Sequence, residues 1–129
     1  MEIYQSSILA LGTLAVLMLV QLLIADVTGI LNKKVPGTSV VESHGNSLFR
    51  VTRTMANTNE SVAIFLVAWL FCVFSDASPD YTAYASWTYV TARLLYAVCY
   101  YANIQVMRSV CFVFSLVGIA GLIAVGFFA

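Results

Sequence analysis

The sequence predicts an all-α integral membrane protein, a four-helix bundle running up, down, up and down, and three observations carry that prediction. Of 129 residues, 61% are hydrophobic and only 9% charged, with a mean hydropathy of +0.92, a composition too apolar for an ordinary soluble domain. Four apolar segments follow one another, each near the length of about 20 helical residues that a hydrocarbon core of roughly 30 Å demands. The connections between them are short, which makes successive helices antiparallel neighbours. Residues 1–129 therefore read as one transmembrane domain, without internal repeat or low-complexity tract.

The first span, about residues 7–31, carries Asp26 as its only charge. It exceeds the apolar region of a signal peptide, about 15 residues, and no small-residue cleavage site follows it, so it is expected to stay in the mature protein. A polar loop from Asn32 to Ser47 comes next, with Pro36, Gly37 and Gly45 as helix breakers and Ser47 as the expected cap of the second helix.

The second span, about 48–75, is unusual. Its wholly apolar stretch, Val62 to Phe74, covers only about 20 Å, so a helix that crosses the membrane must draw Glu60, Asn57 and Arg53 into the bilayer or its headgroup layer. Ionisable groups are costly there and mark working sites. A tight turn, Asp76 to Asp80, leads to the third span, about 81–103, with Arg93 near its middle. The fourth, about 106–128, has Arg108 at its entrance and no charge after it, and Gly118, Ala120, Gly121, Ala124 and Gly126 suit close helix packing.

The formal net charge of zero hides a polarity. Lys33, Lys34, Arg50, Arg53 and Arg108 gather at the end holding the first and third loops, and Glu2, Asp76 and Asp80 lie at the other. The positive-inside tendency makes those two loops cytoplasmic and puts both termini outside. Lys33 and Lys34 need be no more than topology signals. The short loops and the lack of retrieval signals lean toward a bacterial inner membrane.

At about 100° per residue, Arg50, Arg53, Asn57 and Glu60 fall within roughly a quarter of the helix circumference. Tyr89, Arg93, Tyr96, Tyr100 and Asn103 share one face of the third helix by the same rule. Glu60 and Arg93 each lie roughly 15 Å inward from the same membrane end, which predicts an ion pair between them near mid-membrane, since an unpaired charge there costs several kcal/mol. Such a pair could equally serve as a helix-to-helix lock.

The lining has a chemistry. Arginines offer planar forks to carboxylates, Asn57 both donates and accepts, Glu60 accepts from an ammonium group, and tyrosines add hydroxyls beside apolar rings. This suits a small zwitterion with several carboxylates, a description that glutathione fits. A free thiol of pKa about 8.5 is only a few per cent thiolate at pH 7, and a fixed cation stabilises the anion by about 1.4 kcal/mol for each unit of depression. An interfacial anchor is the blander reading of Arg108. Cys72, Cys99 and Cys111 lack any paired spacing and read as buried hydrophobes. His44 stands alone in the long loop, so no metal site is expected. Trp69 and Trp87 read as packing or interfacial residues, and nothing in the chain suits a nucleic acid.

The run R-x-x-R-x-x-x-N-x-x-E (Arg50, Arg53, Asn57, Glu60), then R-x-x-Y-x-x-x-Y (Arg93, Tyr96, Tyr100) and Arg108-Ser109 opening the last helix, resembles the MAPEG family, membrane-associated proteins in eicosanoid and glutathione metabolism. The resemblance covers nearly the whole chain. It implies a homotrimer with glutathione sites between subunits near the cytosolic side. It assigns glutathione contacts to Arg50, Arg53, Asn57, Glu60, Arg93, Tyr96 and Tyr100, and the catalytic positions to Arg108, beside the sulfur, and Ser109. Glutathione would be a co-substrate and its thiolate the nucleophile, attacking an apolar electrophile or reducing a lipid hydroperoxide that arrives from the membrane lipid.

The chain departs from the family pattern at Ala56, where many members carry an arginine, and at Asn32, where basic residues are common. Tyr96 occupies a position that is histidine in some relatives. Two other functions stand beside the transferase or peroxidase: a non-catalytic lipid-binding helper of the same family, and a small-molecule transporter supported only by the intramembrane Glu60.

Overall fold

The computed structural model describes residues 1–129. A single 3₁₀ turn, Glu2–Tyr4, opens the chain, followed by four α-helices: α1 (Gln5–Leu31), α2 (Ser47–Phe74), α3 (Pro79–Tyr101) and α4 (Gln105–Phe127). The observed bounds fall within two residues of those the hydropathy predicts. The exceptions have local causes. Asn46, not Ser47, caps α2, its side chain accepting from the Leu48 N–H at 2.9 Å, and Ser47 becomes the first helical residue. Pro79 starts α3 two residues early, because proline at the first helical position is pre-set in φ and has no N–H to leave unpaired.

The first three α-helices end alike. Lys33, Asp76 and Asn103 adopt left-handed backbone conformations with φ of 54°, 52° and 59°. The amide of the next residue, Lys34, Ala77 or Ile104, bonds back to Gly29, Cys72 or Cys99, closing the carbonyls that a helix end leaves orphaned. These stops make each connection tight enough to reverse direction.

Each helix packs on its sequence neighbour, and α1 with α3 and α2 with α4 also meet. A central α2–α3 pair is thus flanked by α1 on one side and α4 on the other. The closest fit is between α3 and α4. A Cβ on Gly118 would lie 2.7 Å from the Tyr89 backbone nitrogen, and on the α2 side of α4 one on Gly126 would lie 2.5 Å from the Phe71 ring. Gly121 makes only ordinary contact with Ala85. At the termini end Tyr4 donates to the Ala77 carbonyl at 2.6 Å, fastening the start of the chain to the second loop.

Three helices, α1, α2 and α4, are long and apolar enough to cross a membrane. The third is more polar because it is built inside out. Thr82, Ser86, Tyr89, Arg93, Tyr96 and Tyr100 are buried against the bundle, and Tyr84, Leu94, Leu95 and Val98 are exposed. On α1 the exposed side chains are apolar too, Leu9, Val16, Leu23 and Ile30 among them. That is the surface a hydrocarbon solvent requires and water would penalise. The protein is a multi-pass membrane protein.

Packing is not uniform along the bundle. The main apolar core, including Leu14, Phe65, Trp69, Val90 and Leu122, occupies the half nearer the termini. The other half, toward Lys33, Lys34 and Arg108, holds Asn57 and the arginines.

Candidate functional site

Arg93 is the centre of that polar half. It is 0% exposed, and its Nη1 and Nη2 both donate to Asn57 Oδ1, at 2.6 and 2.8 Å. Its guanidinium lies over the rings of Tyr96 at 4.7 Å, Phe112 at 5.7 Å and Tyr89 at 5.9 Å. A charge buried without a carboxylate is therefore held by one amide oxygen and three π faces, contacts that favour a cation without neutralising it. Just beyond, the Tyr89 hydroxyl bonds Ser61 Oγ at 2.7 Å and its ring stacks on Phe65 at 4.2 Å, which fixes α3 against α2.

The expected Glu60–Arg93 ion pair does not form. Glu60 Oε1 instead accepts from Arg53 Nη1 at 2.8 Å along α2 itself, and the two side chains are 57% and 42% exposed. The reason is angular. Glu60 lies three residues beyond Asn57, roughly 60° round the helix, so Asn57 faces α3 and Glu60 faces outward.

Arg53 and Glu60 are the chain's one ion pair, and they lie in a helix apolar enough to span a membrane. Lipid cannot solvate such a pair well.

Toward the basic end the α3 stripe continues. Tyr96 and Tyr100 meet edge-on at 5.5 Å, and Arg108, from the start of α4, places its guanidinium over the Tyr100 ring at 4.6 Å. Arg108 Nη1 also contacts His44 Nδ1 at 3.2 Å. Arg50 reaches into the loop, its Nη1 donating to the His44 carbonyl at 2.7 Å.

The structure thus brings Asn57, Arg93, Tyr96, Tyr100 and Arg108 into one chain of contacts, with Arg53 and Glu60 on the adjoining outward face. Arg50 joins through His44. Ser109 does not join, since its exposed hydroxyl donates to the Gln105 carbonyl at 3.2 Å on its own helix. Asn103 is exposed beyond the helix end. His44 is the member that the sequence pattern misses, for a loop has no period to say which way a side chain faces. Its sole signal was being the one histidine of the chain.

Four arginines meet one carboxylate in this cluster, and with Lys33, Lys34, Asp26 and Glu42 counted the end as a whole is net cationic, which an anionic or zwitterionic ligand matches. A groove of about 460 Å³ lies elsewhere, between the outer faces of α3 and α4, lined by Tyr84, Trp87, Leu95, Cys111 and Phe114 among others. It is apolar and contains none of the arginines.

Fold and site together define a class: a small helical membrane protein with a cation-rich polar layer across one half of its bundle. The family comparison makes this particular. The MAPEG family model matches residues 7–128, nearly the whole chain, and the chain belongs to that family. Its members are membrane proteins of glutathione and eicosanoid metabolism, among them glutathione transferases and peroxidases as well as non-catalytic proteins. A comparison with curated proteins gives no match.

Proposed function

We propose that the protein is a membrane-bound, glutathione-dependent transferase or peroxidase that works as a homotrimer. The observation that carries this reading is the line of contacts from Asn57 through Arg93, Tyr96 and Tyr100 to Arg108, in a chain of the MAPEG family.

Each residue has a role that its position supports. Arg53 and Glu60, exposed and bonded to each other, are the pair a zwitterion would split, Arg53 taking a carboxylate and Glu60 the ammonium group. Asn57 spends its oxygen on Arg93 and keeps its amide N–H groups for the ligand. Arg93, wholly buried, acts by fixing Asn57. Tyr96 and Tyr100 form the wall between Arg93 and Arg108, and Arg50 anchors the loop beside them.

Arg108 is the catalytic group. An arginine stays protonated at any working pH, so it stabilises the glutathione thiolate electrostatically and removes no proton itself. The thiol proton leaves to solvent at the basic mouth of the bundle. The thiolate attacks the apolar electrophile, or the distal oxygen of a lipid hydroperoxide with release of the alcohol and formation of a glutathione sulfenic acid that a second glutathione converts to the disulfide. Ser109 is placed to help at the sulfur only after its hydroxyl leaves the Gln105 carbonyl.

The outward Arg53–Glu60 pair supports the trimer that the family resemblance implies. Covering that face with a second copy removes charge from lipid and encloses the ligand on its open side. The positive-inside tendency places the basic end, and hence the site, in the cytoplasm with both termini outside, and the short loops fit a bacterial inner membrane.

Calorimetric titration of glutathione into the detergent-solubilised protein tests the reading. Binding is expected for the wild type and a loss of at least about tenfold for Glu60→Gln, which surrenders a charge-assisted bond. No heat at millimolar glutathione would overturn it and leave the lipid-binding helper, for which the apolar α3–α4 groove would be the place to look.

A further inference from the structure

We infer that His44 is a positioning residue whose ring nitrogen holds the Arg108 guanidinium in place beside the Tyr100 ring. The functional consequence rests on the glutathione reading, but the contact itself does not.

The Arg108 side chain makes one hydrogen bond, to His44 Nδ1 at 3.2 Å, and lies over one ring, Tyr100 at 4.6 Å. Neither partner is acidic. A carboxylate in the place of His44 would hold Arg108 more firmly and would cancel the charge that a thiolate needs. A neutral acceptor orients the guanidinium and leaves its charge available. His44 is in turn fixed from two further elements. Its carbonyl accepts from Arg50 Nη1 of α2 at 2.7 Å, its ring meets Phe49 of α2 edge-on at 5.2 Å, and Tyr100 of α3 lies at 5.9 Å. The loop residue thereby ties the starts of α2 and α4 to the end of α3.

The tautomer follows from donor counting. Arginine has only donors, so Nδ1 must accept and the ring proton must sit on Nε2.

Because the chain has one histidine, its imidazole can be read without assignment. Nitrogen-15 spectra of histidine-labelled protein in micelles, without glutathione, are expected to show the Nε2–H tautomer in at least about tenfold excess at pH 8, with an Nδ1 shift that moves in Arg108→Ala. A predominant Nδ1–H tautomer, or no response to Arg108→Ala, overturns the inference whatever the protein does with glutathione.

The second arm uses the thiolate absorbance of bound glutathione. His44→Phe keeps a ring but no acceptor and is expected to lower the thiolate fraction roughly tenfold, the loss of one charge-assisted orienting bond. His44→Asn supplies an acceptor oxygen near the Nδ1 position and is expected to recover most of the band. Equal bands in the wild type and His44→Phe, or a band in His44→Asn no stronger than that of His44→Phe, would overturn the positioning role. Absence of glutathione binding in the wild type would instead overturn the reading it rests on and leave the spectroscopic arm to judge the contact.

Discussion

Arg93 carries a charge in a place where the chain provides no opposite one. Its guanidinium is tolerable because Asn57 Oδ1 takes two of its N–H groups and aromatic faces surround it. Asn57→Leu strips that acceptor and is expected to cost about 2–4 kcal/mol, read as a fall in thermal unfolding temperature in detergent. Asn57→Asp separates the two uses of this residue. The new carboxylate pairs with Arg93 and is expected to leave the unfolding temperature within a few degrees of wild type, while glutathione binding is lost for want of the amide N–H donors. Parallel losses of stability and binding in Asn57→Asp would contradict the division. The residues of the candidate site stood out in the sequence because charge inside an apolar span is conspicuous. Their pairing was not. Helical periodicity gives the face on which Glu60 and Asn57 lie, but the choice of Asn57 over Glu60 as the partner of Arg93 depends on roughly 60° of rotation between them, a difference finer than the stripe that a periodic reading resolves.

The helices owe their order to a few close approaches and stops. At Gly118 the α3 backbone at Tyr89 comes so near that an added Cβ would lie 2.7 Å from a main-chain nitrogen, and backbone cannot move aside as a flexible side chain can. Gly118→Ala is expected to destabilise by about 1–3 kcal/mol, to shift Tyr89 off Ser61 and thereby to loosen α3 beside Arg93. Gly121→Ala, meeting only the Ala85 methyl at 3.4 Å, serves as the control, with a change below about 1 kcal/mol. Thermal unfolding of both in the same detergent checks the contrast, and equal effects would remove the argument from close packing. At this scale the sequence was a good guide. Hydropathy and breakers located all four α-helices because a run of apolar residues of this length has few other stable forms in lipid. The ends were less legible: Lys33 and Asp76 close helices in a left-handed conformation that their residue types do not announce, and Asn46 shared its capping chemistry with its neighbour Ser47.

As a whole the molecule divides into an apolar half, built on residues such as Phe65 and Leu122, and a polar half that ends in Arg108. The first is the packed apolar core and the second holds the candidate site. The outward Arg53–Glu60 pair is expected to be covered by a second copy, so light scattering of the detergent-solubilised protein should give three chains per particle; a stable monomer that still binds glutathione would contradict the shared site. The expectation of assembly rests on family resemblance alone, since no single-chain pattern says which copy covers a polar face. Loop 1 was opaque for the same physical reason: His44 reaches Arg108 by tertiary folding across 64 positions of sequence, and no local rule records it. The central claim is that Arg108 holds glutathione as its thiolate, and the ultraviolet spectrum of the protein–glutathione complex addresses it directly. The wild type is expected to show a thiolate band at about 240 nm near neutral pH, and Arg108→Ala to bind glutathione but lose the band, because a thiol of ordinary acidity is mostly protonated there. A band of equal strength in Arg108→Ala, or a wild type that binds glutathione without one, would contradict the account.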